Sequence, residues 1–222
     1  MLYIVATPIG NLEDITLRAL RILKEADVIL CEDTRVTRKL LERYELNNKK
    51  LESYHHHTND KKVEKLIELI LERNVALVTD AGTPGISDPG NKLISKIIEN
   101  REIQIIPIPG SSAVITALSV SGFPTDNFLF KGFVPHKKGR ETFLNAVVNN
   151  KETVVFYESC HRIIKTLDKL QEINNLKQLV VCRELTKKFE TIYRGTPEKI
   201  LQEIKKGFPN GKPKGEFVVV VH

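Results

Sequence analysis

Acidic side chains and glycine-rich loops stand at the places where this chain could do chemistry. Glu32 and Asp33 come just after Val28–Leu30, a short apolar run typical of a strand. Two adjacent carboxylates can share the work of acid and base in catalysis. A polar strand end that caps the following helix has the same pattern. The residues leave both interpretations open.

Three loops rich in glycine and proline follow other apolar runs. The longest, 80–90 with the sequence DAGTPGISDPG, follows Val75–Val78 and precedes a helical pattern. Thr7–Asn11 and Pro107–Ala113 stand in the same relation to two further apolar runs. A strand that leads through such a loop into a helix exposes backbone N–H groups at the carboxyl edge of a sheet, where α/β proteins hold small ligands. We therefore expect a ligand held mainly by backbone.

Several common site motifs are absent from the sequence. It contains neither GxGxxG nor GxxxxGK[ST], which argues against an ordinary Rossmann dehydrogenase or methyltransferase and against a P-loop NTPase. It also lacks HExxH and GxSxG. His55 and His57 could ligate a metal, but the sequence offers no clear third ligand. We favour a surface or substrate-contact role for them and expect no metal site.

Length and composition describe a globular protein. The chain has 222 residues, enough for one large domain or two modest ones. No apolar run approaches the roughly 20 residues that a membrane helix needs, and the N-terminus lacks the basic and apolar regions of a signal peptide. The cysteines, Cys31, Cys160 and Cys182, form no CxxC pair, which fits reduced thiols. These features predict a cytoplasmic protein.

The net charge of +6 is unevenly distributed along the chain. Residues 1–122 carry 16 Lys and Arg against 17 Asp and Glu, a balance of −1. Residues 123–222 carry 18 against 11, a balance of +7. This asymmetry favours an acidic partner such as nucleic acid. A lysine-rich solvated surface explains the charge equally well.

Apolar periodicity divides the chain into two α/β domains. A turn cluster at 122–126 ends the helix expected over Ala113–Val120, so we place the domains at 1–122 and 123–222. Asp88 with Pro89 predicts a helix start. The second half is richer in strands, which we expect at Asn127–Phe133, Thr153–Tyr157, Leu179–Arg183, Glu190–Arg194 and Glu216–Val221, with helices at 140–149, 160–173 and 197–206. The short polar link between strands 179–183 and 190–194 predicts antiparallel pairing.

Six motifs together resemble one enzyme family. They are YIVATPIGNLEDIT at 3–16, CEDTR at 31–35, DAGTP at 80–84, PG at 109–110, FYESCHR at 156–162 and RELTK at 183–187. They occur in the expected order through nearly the whole chain. The sequence is similar to the bacterial small-subunit (16S) ribosomal RNA cytidine 2′-O-methyltransferases, a family within the tetrapyrrole methylase superfamily.

The resemblance implies a fold, a cofactor and a reaction. The implied fold is two α/β domains of the tetrapyrrole methylase type, unlike Rossmann-type methyltransferases, with S-adenosylmethionine in the cleft between the domains. The implied enzyme is a homodimer that methylates the 2′-oxygen of a cytidine ribose in small-subunit ribosomal RNA, either free or in the assembled small subunit. No membrane partner is implied. Many members continue beyond the last strand into a small helical domain, so we expect a short form or a truncated chain.

The resemblance also implies the site residues. Cofactor contacts, largely through backbone, are implied for Pro8, Asp80, Ala81, Gly82, Thr83, Pro84, Ser111, Ser112, Ala113, Tyr157 and Leu185. Substrate contacts are implied for Glu32, Asp33, Arg35, Glu158, His161, Arg162 and Arg183, with the three arginines at phosphate or ribose. A ribose hydroxyl is a weak nucleophile that gains from a general base, and we expect Glu184 or Lys187 in that role. Ser111 and the spacing of 55–59 depart from the family's more usual pattern.

Two other functions fit parts of the pattern. A methyltransferase of the same superfamily that acts on a small tetrapyrrole would carry the same cofactor loops. A non-catalytic RNA- or ribosome-binding module could keep the fold alone. The basic second half favours RNA over a tetrapyrrole, and the intact cofactor loops disfavour a module that only binds.

Overall fold

The computed structural model describes residues 1–99, 103–173 and 178–222. These residues form two compact units, Met1–Ser112 and Ala113–His222. The division falls earlier than position 122, where the sequence places the domain boundary. The reason is that the helix Ala113–Ser119 packs against strands of the second unit.

The first unit is built on a parallel sheet. Its described strands are β1 (Leu2–Val5), β2 (Val28–Cys31), β3 (Lys50–Ser53), β4 (Val75–Leu77) and β5 (Ile105–Ile108), in the spatial order β3-β2-β4-β1-β5. Helices α1 (Leu17–Glu25), α2 (Thr34–Arg43), α3 (Asp60–Glu72) and α4 (Asn91–Glu99) lie in the connections. Every neighbouring pair runs parallel. The carboxyl ends of the strands therefore lie at one edge of the sheet.

Helices bury the central strands of this sheet on both faces. In β2 every residue is buried, as expected for a parallel strand with a continuous apolar sequence. Its side chains alternate between two core clusters. Leu30 joins Leu77 in one cluster, and Ile29 joins Ala76 in the other. The period of two residues in a strand produces this alternation.

The second unit contains a mixed sheet. Its helices and strands are α5 (Ala113–Ser119), β6 (Phe128–Phe133), α6 (Arg140–Val148), β7 (Thr153–Ser159), α7 (Ile163–Glu172), β8 (Leu179–Arg183), β9 (Thr191–Gly195), α8 (Pro197–Gly207) and β10 (Glu216–Val221). The spatial order is β6-β7-β10-β8-β9. Strands β6 and β7 run parallel, and β10 runs antiparallel to both of its neighbours. Strands β8 and β9 pair antiparallel, which confirms the expectation from their short link.

One predicted helix start is wrong. Helix α4 begins at Asn91, two positions after Pro89. The carbonyl of Pro89 accepts a hydrogen bond from the N–H of Gly85 at 3.2 Å, and Gly90 has a φ of 152°. Pro89 therefore closes the loop that precedes the helix. Within the described segments, no helix is long and apolar enough to cross a membrane.

Candidate functional site

The loops after β1 and β4 are joined backbone to backbone at the carboxyl edge of the first sheet. The N–H of Thr7 donates to the carbonyl of Gly82 at 2.9 Å, and the N–H of Gly82 donates to the carbonyl of Thr7 at 3.0 Å. The hydroxyl of Thr7 also donates to the carbonyl of Thr79 at 3.1 Å. These bonds hold the DAGTP segment in a fixed position beside the end of β1.

Glycine is required in these loops for two different reasons. Gly82 has a φ of 81°, which a residue with a side chain adopts only with strain. A Cβ at this position would lie 3.5 Å from Cγ2 of Ile9, an ordinary contact distance. At Gly110, by contrast, a Cβ would lie 2.9 Å from the Cβ of Ala6. Backbone conformation therefore requires Gly82, and close packing requires Gly110.

Ser111 links the loop after β5 to the other two loops. Its carbonyl accepts from the hydroxyl of Thr83 at 3.2 Å, and its own hydroxyl donates to the carbonyl of Asp14 at 3.2 Å. The departure from the family's more usual residue at this position thus has a local structural role. The remaining predicted cofactor residues of this unit differ in exposure, with Pro8 and Pro84 buried, Ser112 half-buried, and Asp80 and Ala81 exposed.

Asp33 at the end of β2 caps the next helix. It is the N-cap of α2, where its carboxylate accepts from the N–H of Arg35 at 2.8 Å. The Arg35 guanidinium also donates to the same carboxylate, with Nη2 2.6 Å from Oδ2. These hydrogen bonds lower the pKa of Asp33 to about 2. The capping interpretation is thus correct for Asp33, and its roles as an acid or base are weakened by the low pKa.

Glu32 and Asp80 concentrate negative charge at the same edge. The carboxylate of Asp80 accepts from the N–H of Asp33 at 3.0 Å. Although Asp80 is exposed as a residue, partial desolvation of its carboxylate raises the pKa of Asp80, and the charge of Asp33 raises it further against that hydrogen bond. Burial likewise raises the pKa of Glu32, with the charge of Asp80 as the next cause. We call Glu32, Asp33, Asp80 and the loops after β1, β4 and β5 the acidic edge. A positively charged group would be stabilised there.

The acidic edge offers little to a metal ion. Across the described ranges, no three His, Cys, Asp or Glu side chains come together closely enough to hold one. His55 and His57 are exposed, with ring centroids 6.3 Å apart. The hydroxyl of Thr79 is buried and lacks a hydrogen-bond partner among the residues that the structure describes. This edge is therefore suited to a ligand held by backbone groups and charge.

A second set of predicted residues lies at one edge of the second sheet. Strands β6, β7 and β8 end at this edge, and β10 begins there, since Glu216 pairs with Ser159 and Phe217 with Arg183. We call the loops at 134–139, 160–162, 184–190 and 212–215 the basic edge. Its exposed cations include Lys137, Lys138, Lys188, Lys212 and Lys214. These loops place much of the positive charge of the second half on one side of the sheet.

Glu158 lies inside the unit rather than at its surface. Its side chain is 1% exposed and forms ion pairs with Arg162 at 2.8 Å and with Arg140 at 3.4 Å. It also accepts from the hydroxyl of Thr166 at 2.5 Å and from the N–H of Ser159 at 2.7 Å. Both carboxylate oxygens are thus engaged within the protein.

The two arginines that pair with Glu158 also hydrogen-bond to the loop after β6. Arg162 donates to the carbonyl of Val134 at 2.8 Å, and Arg140 donates to the carbonyl of Pro135 at 3.5 Å. Both guanidinium groups are mostly buried. The geometry therefore gives Glu158, Arg140 and Arg162 a structural role beneath Lys137 and Lys138, and any substrate contact of Glu158 or Arg162 stays a prediction.

Glu184 and Lys187 are paired in the loop between β8 and β9. Lys187 Nζ lies 3.0 Å from Glu184 Oε1 and 2.7 Å from Glu216 Oε2, and the N–H of Glu216 donates to the same Glu184 oxygen at 3.0 Å. Glu184 has a φ of 53°, and its side chain lies so close to Gly215 that a Cβ there would collide with it. This combination of strained backbone and paired charges is typical of functional loops.

The charges set opposite protonation tendencies in this pair. Burial raises the pKa of Glu184, but the hydrogen bonds from Glu216 and Lys187 together outweigh it and lower the pKa overall. Burial lowers the pKa of Lys187, but the two carboxylates outweigh it and raise the pKa overall. Lys187 is therefore held as an ammonium ion that cannot accept a proton. Of the two, Glu184 is the group with lone pairs to accept it, although its lowered pKa makes it a weaker base than an ordinary glutamate.

The other predicted site residues of the second unit differ from one another in burial and in contacts. Arg183 donates to the carbonyls of Lys214 at 2.6 Å and Phe189 at 3.0 Å, so its guanidinium braces the basic edge. The ring of Tyr157 packs against Phe130 and Phe133, each with centroids 5.1 Å away. His161 is exposed, Leu185 is buried and Ala113 is half-buried at the start of α5.

Sequence reasoning missed Thr7, Thr166 and Gly215. Thr166 of α7 lies four positions after Arg162, the N-cap of that helix, and this spacing was a signal for contact between them. The burial of Glu158 also had a signal, because it alternates with Phe156 and so shares its face of β7. Nothing in the sequence indicated that Gly215 packs against Glu184, since their contact joins distant segments.

Comparisons with known proteins show what this chain is similar to. The family model of Tetrapyrrole (Corrin/Porphyrin) Methylases matches residues 1–201. A protein of Halalkalibacterium halodurans named ribosomal RNA small subunit methyltransferase I is 47% identical over 99% of this chain and 75% of its own length. A protein of the same name from a Synechocystis strain is 43% identical over 100% of this chain and 78% of its own length.

A solved structure shows the same fold at low sequence identity. The X-ray structure of a cobalamin biosynthetic enzyme, cobalt precorrin-4 methyltransferase, is similar with a TM-score of 0.69 over 99% of this chain and 94% of that chain. The two sequences are only 20% identical, so this likeness concerns the fold alone. The expected fold class is confirmed.

Proposed function

The chain belongs to the family of tetrapyrrole (corrin/porphyrin) methylases, and we propose that it methylates small-subunit ribosomal RNA with S-adenosylmethionine as the methyl donor. The observation that carries this function is the 47% identity, over 99% of the chain, to a relative named ribosomal RNA small subunit methyltransferase I. The protein is a methyltransferase. The finer assignment, transfer to the 2′-oxygen of a cytidine ribose, rests on the family resemblance carried by the motifs at 7–16, 31–35, 156–162 and 183–187.

The acidic edge fits the chemistry of S-adenosylmethionine. That cofactor, when bound, supplies a methyl group activated by a positively charged sulfur. Glu32 and Asp80 supply negative charge, which suits the cationic sulfonium and amino groups, whereas the charge of Asp33 is already paired with Arg35. The DAGTP segment supplies backbone groups on a frame that Thr7 and Ser111 hold. We assign Asp80–Pro84 and Ser111 to cofactor binding on these grounds.

Glu184 and Lys187 have different roles in the proposed proton transfer. A ribose hydroxyl is a weak nucleophile at neutral pH, and a positioned general base contributes roughly 10²- to 10⁴-fold to its reaction. Glu184 is the group of the pair that can accept the proton. Lys187 holds the Glu184 carboxylate in place through its 3.0 Å contact and keeps it ionised. The remaining task is to hold the reacting oxygen and carbon at near-attack distance, about 3–3.5 Å.

The substrate experiment compares three acceptors. Tritium transfer from labelled S-adenosylmethionine is measured with small ribosomal subunits, protein-free small-subunit RNA and a tetrapyrrole. We expect label in RNA, in one or both of its forms, and none in the tetrapyrrole. Label in the tetrapyrrole alone would favour the small-molecule alternative. Cofactor binding without transfer to any acceptor would favour a module that only binds.

We also propose that the protein is a cytoplasmic homodimer. Strand β6 is an edge strand of its sheet and exposes Phe128, Leu129 and Phe133. An exposed apolar edge strand is prone to pair with another chain. Sedimentation equilibrium should give twice the chain mass of 25.2 kDa. A mass of one chain across the accessible concentrations would contradict the dimer and leave the methyltransferase assignment untouched.

A further inference from the structure

Phe189 is an exposed aromatic side chain on the basic edge. It is 63% exposed and lies in the loop at 184–190 between β8 and β9. Single exposed apolar residues are common on protein surfaces and need no special explanation. What distinguishes Phe189 is the rigidity of its loop and the charge around it.

Hydrogen bonds hold the backbone of this loop on several sides. The carbonyl of Phe189 accepts from Arg183 at 3.0 Å and from the hydroxyl of Thr191 at 3.2 Å. The N–H of Glu190 donates to the carbonyl of Lys187 at 3.0 Å, and the Glu190 carboxylate accepts from the N–H of Thr186 at 2.6 Å. The ring is thus displayed from a braced backbone, so little conformational entropy remains to be lost when a partner binds.

One cation lies beside the displayed ring, and others lie on the neighbouring loops of the basic edge. The ammonium of Lys188 lies 5.7 Å from the centroid of the Phe189 ring. The neighbouring loops of the basic edge add Lys137, Lys138 and Lys214, all exposed. An aromatic face beside phosphate-binding cations is the combination that proteins use for unpaired nucleic acid strands. Each base has a π-face that can stack on the ring once it is out of a helix.

We propose that Phe189 is a stacking platform for an unpaired base of the RNA, with Lys188 beside the adjoining phosphate. The inference rests on the proposed RNA substrate and adds a requirement that the strand at this edge be single-stranded. In a duplex the faces of each base are covered by its neighbours, so the ring would find no partner. Lys188 approaches one side of the ring, so the base is expected on the other.

The experiment measures RNA affinity for matched variants. Fluorescence anisotropy gives Kd for a short unpaired RNA and for a duplex of the same sequence, each at several salt concentrations. Phe189→Leu keeps an apolar side chain but removes the π-face. Phe123→Leu is the control, because Phe123 lies outside β6 and packs beside His222 after the end of β10, opposite the basic edge, with ring centroids 5.7 Å apart. Thermal melting verifies that both variants fold.

Stacking and charge predict separable results. Phe189→Leu should weaken binding of the unpaired RNA by about 5- to 150-fold with the salt slope unchanged, as expected for the loss of one stacked base. Phe189→Trp should preserve the affinity. Lys188→Ala should lower the slope of log affinity against log salt by about 0.7, the value for one phosphate contact on a single strand. Phe123→Leu should leave the affinity within the error of measurement.

Two results would overturn the inference, and they differ in what else they affect. If Phe189→Leu binds unpaired RNA as wild type does, or loses the same affinity for the duplex, the stacking role is wrong while the RNA methyltransferase stands. If the wild-type chain binds neither RNA, the stacking role fails together with RNA as the direct substrate. Transfer of tritium to ribosomal RNA, measured separately, tells these two cases apart.

Discussion

The acidic edge of the first sheet and the basic edge of the second are built in opposite ways. The acidic edge is a backbone frame, with loops joined through the Thr7–Gly82 hydrogen bonds and a glycine at a φ of 81°. The basic edge is held by charged side chains, among them the buried Glu158 between two arginines. The first should therefore be sensitive to backbone conformation, and the second to the removal of charges.

The largest effect is expected from Gly82→Val. A β-branched residue at positive φ is a strong outlier, so the DAGTP segment should leave its present conformation. We expect binding of S-adenosylmethionine to be lost in titration calorimetry, while the circular dichroism spectrum stays that of a folded protein. Chelator in the buffer keeps trace metal out of the measurement.

Gly122→Val is the matched control for backbone strain. Gly122 has a φ of 75°, and a Cβ there would meet nothing within 4 Å. Valine at this position brings the same kind of strain outside the acidic edge, so cofactor affinity should be kept. Equal loss of cofactor affinity in both variants would show that general destabilisation, and not the backbone frame of the acidic edge, explains the effect. Normal binding by Gly82→Val would mean that the loop is misassigned.

Glu184→Gln tests the basic edge for catalysis. If Glu184 accepts the ribose proton, the amide should lower kcat by about 10²- to 10⁴-fold, with unchanged cofactor affinity. Glu190→Gln is the control. Glu190 is a carboxylate of the same loop, and the hydrogen bond described for its side chain comes from the backbone N–H of Thr186. Turnover of Glu184→Gln equal to that of the control would exclude Glu184 as the base.

The pH profile separates the roles of Glu184 and Lys187. Because the pKa of Glu184 is lowered, the acid limb of wild-type activity should lie at a lower pH than an ordinary glutamate base would give. Lys187→Ala removes one of the groups that lower this pKa, so the acid limb should move to higher pH. A limb that stays in place would contradict the pairing, even if the rate itself decreased.

Glu158→Ala should destabilise the second unit. The change leaves Arg140 and Arg162 mostly buried without their carboxylate, and loss of one partner from a buried pair costs about 3–5 kcal/mol. Urea unfolding followed by circular dichroism measures the free energy. Glu172→Ala breaks an exposed ion pair with Lys169 and should change it far less. A similar small change for both would mean that the buried network contributes little.

The smallest effect is expected at Asp33. Its pKa in the folded protein is about 2 against the ordinary 3.8, so its charge stabilises the fold above the ordinary value and this contribution disappears as the pH falls toward 2. Asp33→Asn keeps a capping side chain and removes only the charge. The variant should melt below wild type at neutral pH, with a gap that closes between pH 3.8 and about 2. A gap independent of pH would contradict the assigned pKa.

The acidic edge could largely be predicted from the sequence, because strand, loop and helix follow one another locally there. The loop at 80–84 follows its strand and reaches the expected edge. The basic edge depends on contacts between distant segments. Glu158 meets Arg140, and Glu184 meets Gly215, only once the sheet has formed. The expected boundary at 122 follows a turn cluster, whereas the two compact units divide at 112 because α5 packs in the second unit, and no local pattern indicates that packing.

The position of the methyl group tests the central claim most directly. Small-subunit RNA methylated by the protein is subjected to partial alkaline hydrolysis, which requires a free 2′-hydroxyl at each cleaved position. We predict one gap in the ladder at a cytidine, and no methyl transfer to RNA that carries a 2′-deoxycytidine there. Binding of the deoxy RNA should weaken only modestly, because phosphates and shape supply most of the affinity. A methyl group on the cytosine ring or its exocyclic amine, with an unbroken ladder, would contradict the assignment.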